Sequence, residues 1–218
     1  MLLRLRDKSN EIRGLVLRKL LAEKIPLDEM RPQQRIRLLY DGFGNKDTSV
    51  EQDTLKYIAL FFGDGENITK FRDLINLFEP EMLLLHPALY SLFDSLLSEL
   101  TNELTINSLV AVTKRVTDDL RHIAKGEARI CRELIWLKHI AKSSNSQLRS
   151  SLEEFIPSGT ELAKAFTELV KGQDLFSINE CLQLFALEKS ADELGRNKMC
   201  DSLKGFVQEV RYFEGERS

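Results

Sequence analysis

Proline and cysteine are scarce in this 218-residue chain, five and three in number. Each proline removes a backbone donor and ends or kinks a helix, so so few of them leave long stretches free to be helical. Cys131, Cys181 and Cys200 form no C-x-x-C pair. They are too few and too scattered for a cysteine-rich zinc module or a disulfide scaffold. They read as reduced thiols in a reducing compartment, with a Cys181–Cys200 bridge between neighbouring helices as the alternative. No apolar run approaches the roughly 18 residues of a membrane span; the densest, MLLL at 82–85, stops at His86-Pro87. The opening stretch MLLRLRDKSNEIRG is too short in apolar residues for a secretory signal. A soluble cytoplasmic protein is the expectation. Walker, dinucleotide and G-x-S-x-G motifs are missing, as are strand patterns, repeats and low-complexity segments.

Charge of one sign is lacking too. Lys and Arg number 31 against 34 Asp and Glu, a net charge of −3. A protein that coats DNA carries a basic excess, so that class is disfavoured, although a local basic patch is not. Apolar residues make up 43%, near the globular average and enough for a real core.

What the chain does have is helical periodicity. Over residues 105–142, Leu109, Val116, Ile123, Ile130 and Leu137 recur every seven positions, with Val112, Leu120, Leu134 and Ile140 at the intermediate offsets. That is the apolar stripe of an amphipathic helix. Gly126 lies in its middle, but the stripe keeps phase across it, so the spacing predicts one helix of about 38 residues and roughly 57 Å. A hairpin break at Gly126 is the alternative. The fold class expected is all-α, a multi-helix bundle organised around this central helix.

The rest of the chain divides at turn signals. Ser9 is a natural N-cap for a first helix to about Lys24, with Ile12, Leu15, Val16 and Leu20 inward. Pro32 suits the first turn of a second, with Ile36, Leu39 and Tyr40 inward. Ser49 and Gln52 match a capping box for a third. The second and third helices end at Gly42-Phe43-Gly44 and Gly63-Asp64-Gly65, which read as C-terminal left-handed caps and not as phosphate loops, since the glycines close helices instead of opening them. Glu79-Pro80 is the clearest stop. The expected domains are a short-helix bundle at 1–79 and a larger helical bundle at 80–218, which also fit as a single domain. In the second half Thr160 caps one helix, and Ser177–Glu180 and Ser190–Glu193 match further capping boxes.

Two constellations carry chemistry. Stepping along the central helix at about 100° per residue, Lys114, Arg121, Lys125, Arg129 and Arg132 fall opposite the apolar stripe, with Trp136 and His139 near its end. Arginine offers paired donors to carboxylate or phosphate, and an exposed Trp marks contact surfaces. This face suits an acidic partner helix, a nucleic-acid backbone or an anionic ligand; the competing reading is a solvated stripe neutralised within the fold. The second is a repeated spacing of seven, Arg115 to His122 and Arg132 to His139, which places each pair on one helix face. It resembles the Arg-to-His motif of the HEPN ribonucleases, helical bundles in which an Arg and a His cut RNA at a dimer interface. The polar residue that usually follows the Arg is Val116 in one pair and Glu133 in the other. Asp119-x-x-His122 has the spacing of half a di-metal site, but no second pair completes it, and Cys131 with His139 is two ligands short of a zinc site. His86, ahead of Pro87, reads as a hinge residue.

The function expected is a non-catalytic interaction or adaptor protein, with no cofactor and no metal. It would bind a protein partner, an acidic one by charge, through Lys114, Arg121, Lys125, Arg129, Arg132 and Trp136. The alternatives are an Arg/His ribonuclease using Arg115, His122, Arg132 and His139, and an RNA or anionic-ligand binder using the basic stripe alone.

Overall fold

The computed structural model describes residues 2–23, 25–62, 68–102, 106–128, 130–142, 150–187 and 193–215. The fold is all-α, with no strand among the described residues. Contacts divide the chain into two units, Met1–Val112 and Thr113–Ser218. Glu79-Pro80 falls inside the first unit, where it parts two helices.

The first unit begins with a 3-10 turn, Leu2–Arg6, and α1, Asn10–Glu23. Val16, Leu17 and Leu20 of α1 are buried, but Ile12 and Leu15, expected inward, are exposed, Leu15 by 61%. Apolar residues occupy both sides of this helix, so periodicity alone did not single out the inner one. Next comes α2, Pro32–Arg37, which opens on its proline. It continues into a π-helical turn, Leu38–Phe43, closed by the Gly44 N–H donating to the Leu39 carbonyl at 2.8 Å. That wide turn changes the phase of the pattern. Leu38, Leu39 and Phe43 are buried, whereas Tyr40, expected inward, is 39% exposed.

The expected left-handed caps at Gly42 and Gly44 are therefore corrected. Among the described glycines only Gly126 has a positive φ. Gly42 is needed for close approach instead: a Cβ there would lie 2.7 Å from the Thr54 hydroxyl of α3, Thr48–Phe62. The second pair, Gly63 and Gly65, lies outside the described residues. The cap of α3 is Asp47 and not Ser49; its Oδ1 accepts from the backbone N–H and the hydroxyl of Ser49, at 2.9 and 2.6 Å. Helices α4, Ile68–Leu77, α5, Pro80–Leu85, and α6, Pro87–Asn102, complete the unit. Phe78 and Phe93 meet with ring centroids 5.2 Å apart in its core.

Helix α7, Ile106–Ala124, carries the predicted stripe as far as Ile123, with Leu109, Val112, Val116 and Leu120 all buried. There the single long helix ends. Gly126 takes φ +80°; its N–H donates to the Ile123 carbonyl at 2.8 Å, and the Glu127 N–H to that of His122 at 3.0 Å. Those two bonds are a Schellman motif, which satisfies the last carbonyls and turns the chain. Ile130, predicted to continue the stripe, is 55% exposed. A new helix, α8, starts only at Leu134 and runs to Lys142.

In the second unit, α8 is buried on nearly every side: Leu134, Ile135, Trp136, Leu137, Lys138 and Ile140 all lie in the core. It packs on α10, Leu175–Leu187, which packs in turn on α9, Gly159–Gly172. Helix α11, Glu193–Gly215, lies along α9, with Phe166 and Phe206 edge to face. Ser158, two residues ahead of the expected Thr160, caps α9 through a reciprocal pair of bonds with Glu161. Gln173, and not Gly172, takes the left-handed position that ends it.

The Gly42–Thr54 contact yields a direct test. Thr54 is fully buried and its hydroxyl donates to the Val50 carbonyl at 2.8 Å, so Gly42→Ala should lower stability by about 1–3 kcal/mol, the usual cost of overpacking. Thermal unfolding of the variant checks this; an unchanged midpoint would show that the π turn yields freely.

Candidate functional site

The predicted basic face is built on α7, and only part of it survives. Lys114 and Arg121 lie on the side of α7 opposite its buried stripe, Lys125 follows in the turn after Ala124, eleven residues beyond Lys114, and all three are exposed. Arg121 is shared with its surroundings: its Nε donates to Glu161 at 3.2 Å, and Asp118 lies 3.5 Å from its Nη1. Lys114 and Lys125 make no side-chain hydrogen bond or ion pair among the described residues. Arg129 lies outside those residues. The break at Gly126 takes the remaining members off the helix altogether.

Arg132 sits in the turn ahead of α8, where Nε and Nη2 grip one oxygen of Asp174, at 3.2 and 2.9 Å. Asp174 is also the N-cap of α10: its other oxygen accepts from the backbone N–H and hydroxyl of Ser177 at 3.0 and 2.6 Å. The Ser177 hydroxyl in turn accepts from the Cys131 N–H at 3.0 Å. Ser177 is therefore a buried bridge inside α10, not the cap its spacing suggested. Trp136, expected on a contact surface, is fully buried, with Nε1 donating to the Thr113 hydroxyl at 3.0 Å.

Glu180, the other half of the expected capping box, has a different task. It meets Lys138 at 2.8 Å with both side chains fully buried, and its second oxygen accepts from the Asn179 amide at 2.9 Å. The two ion pairs, 132 with 174 and 138 with 180, follow the same chain sense, so α8 and α10 lie side by side with their N-termini together. Nothing in the apolar periodicity marked this pair. The only signal was a lysine within LIWLKHIAK, a run otherwise too apolar to face water.

The Arg–His pairs are separated by the same break. Arg115 and His122 share exposed turns of α7, but each is engaged by a carboxylate of its own, Arg115 by Asp119 at 3.5 Å and His122 by Glu127. Arg132 and His139 do not lie on one helix face, because Arg132 precedes α8. No group of three or more His, Cys, Asp or Glu side chains able to hold a metal occurs among the described residues. Cys131 and Cys181 are buried and Cys200 is exposed, all three as free thiols; burial pushes the Cys181 thiol up to about 12. Among the described residues no helix is long and apolar enough to cross a membrane. No protein-family model, curated protein sequence or solved structure matches this chain.

Two predictions follow from the α8–α10 pairing. A charge left alone in a core is costly, whereas replacing both members of a buried pair is often neutral. Lys138→Met or Glu180→Leu alone should therefore destabilise by about 3–5 kcal/mol, while the double variant should recover most of that in denaturant titrations. A double variant as unstable as the worse single one would mean the pair is needed for more than mutual neutralisation.

The second concerns acid. Burial raises the Asp174 carboxyl, but the hydrogen bonds from Arg132 and Ser177 outweigh it and hold the group below its ordinary value of 3.8. The unfolded chain thus takes up the proton first. The contribution is complete above 3.8 and is lost as pH falls towards the lower folded value. Melting temperatures measured down to about pH 3 should fall more steeply for the native chain than for Asp174→Asn; equal slopes would show that Asp174 is not among the groups driving acid unfolding.

Proposed function

We propose that this chain is a non-catalytic interaction protein that docks an acidic helical segment of a protein partner on the α7 face formed by Lys114, Arg121 and Lys125. The observation that carries the reading is the exposure of the three cations on one side: Lys114 makes no ion pair among the described residues, and Lys125 feels only the Glu127 carboxylate, which His122 already engages. Elsewhere on the same helix the fold supplies a counter-charge, to Arg115 from Asp119 and to His122 from Glu127. Eleven residues of helix span roughly 16 Å, so carboxylates at positions i, i+7 and i+11 of a partner helix match the three cations. An adaptor of this kind acts in the cytoplasm, in keeping with the scattered reduced cysteines.

Exposed ion pairs contribute little each, so such a face sets encounter rate and orientation more than affinity, and binding should weaken with salt. A labelled helical peptide with glutamates in that register should bind the native protein by fluorescence anisotropy. Lys114→Glu with Lys125→Glu should weaken binding at least about tenfold with helicity by circular dichroism unchanged. Equal binding of a charge-matched peptide with shuffled register, or indifference to the double variant, would count against this face. Preferential binding of single-stranded RNA, with the steep salt dependence of phosphate contacts, would transfer it to a nucleic-acid ligand.

A further inference from the structure

The first unit holds an open cleft of about 400 Å³ that none of the preceding readings uses. That volume lies in the range of small-molecule sites. Its wall is the π turn with the loop after it, set against the 3-10 turn and the start of α1, and three cations converge there: Arg6, Arg13 and Lys46. Asp41 is the one carboxylate in the lining, and Arg6 Nε already donates to it at 2.7 Å. Two positive charges thus remain uncompensated in a protein whose net charge is −3.

The cleft is braced. Asn45 donates from Nδ2 to the Asp41 carbonyl at 2.9 Å and accepts at Oδ1 from the Asp47 N–H at 3.0 Å, which holds the loop bearing Lys46. Arg13 is anchored by Nη1 donating to the Asp7 carbonyl at 2.8 Å, while its buried Nε has no acceptor among the described residues. Lys46 is exposed and makes no ion pair among them. Tyr40, turned outward by the π geometry, adds a partly exposed ring to the wall.

We propose that this cleft binds a small, soluble, hydroxyl-bearing phosphomonoester. Such a group carries a charge of about −1.5 to −2 near neutrality and three strong acceptor oxygens, which matches the two uncompensated cations better than a monocarboxylate does. Arg13 and Lys46 take the phosphate, guanidinium as a planar donor and ammonium as a point charge. The Asp41 carboxylate, fixed by Arg6, accepts from a ligand hydroxyl, and the Tyr40 ring lies against the carbon skeleton.

Isothermal titration of the full chain with glucose 6-phosphate, inorganic phosphate and glucose tests this. Glucose 6-phosphate should bind saturably and more tightly than inorganic phosphate, and glucose should give no binding. Lys46→Glu, at an exposed position that the fold does not need, should weaken glucose 6-phosphate at least about tenfold, and Arg13→Gln should do the same if that variant folds. Lys114→Glu with Lys125→Glu should leave it unchanged, which separates this cleft from the α7 face. Absence of saturable binding, indifference to Lys46→Glu, or capture only by vesicles containing phosphatidic acid would overturn the proposal.

Discussion

A lysine and a glutamate buried together are the constraint on which the second unit depends. Removing each charge from water costs several kcal/mol, and their mutual attraction returns this only when the geometry is good. Lys138 Nζ and Glu180 Oε2 lie 2.8 Å apart with no solvent exposure, so each charge has its counter-charge inside the core. A slip of one residue between α8 and α10 would leave both charges in the core without each other, so the pair specifies register where the surrounding Leu, Ile and Phe side chains would tolerate several. Arg132 and Asp174 repeat the device at the N-terminal ends of the same helices, with Ser177 and the Cys131 amide completing the bonding. Helix α8 can be apolar nearly all round because α10 brings the matching carboxylate to its one deeply buried charge.

The helical class and many buried positions were legible from periodicity. Leu109, Val116, Leu120 and Ile123 all point inward as their spacing requires. The break after Ile123 was not legible, for a specific reason. A Schellman turn at Gly126 consumes residues without disturbing a count of sevens, so Ile130 and Leu137 stay in phase with a helix that no longer exists. Ile130 is exposed, and Leu137 is buried on a different helix. Short motifs misled in a related way. Ser177 and Glu180 have capping-box spacing, yet Asp174, three residues earlier, does the capping, which frees both for the core. Ser49 lost its place to Asp47 on the same principle: the carboxylate, with more acceptor capacity than a hydroxyl, outcompetes a neighbouring serine for the orphan amides.

The candidate site was legible in its cations and not in its geometry. Lys114 and Arg121 share an exposed face because they share one helix, and Lys125 follows at its C-terminal turn. Arg132 and Trp136 were assigned to that face by extending the helix through Gly126, and they belong instead to the interior order of the second unit. A sequence lists charges but not their counter-charges; Asp174 lies 42 positions from Arg132. The cleft at Arg6, Arg13 and Lys46 was invisible for a similar reason, since its cations come from three separate segments.

The π turn at Leu38–Phe43 has one more consequence. A π turn is a local surplus of chain in an otherwise α-helical path. Loss of a single residue between Leu38 and Phe43 would remove that surplus and restore ordinary winding, and the wide turn that presents Tyr40 and Asp41 to the cleft would be gone. The shape of that wall therefore rests on the number of residues in the turn more than on which residues they are. An insertion or deletion there would matter more than most substitutions, and the length of this six-residue segment is itself a structural feature of the protein.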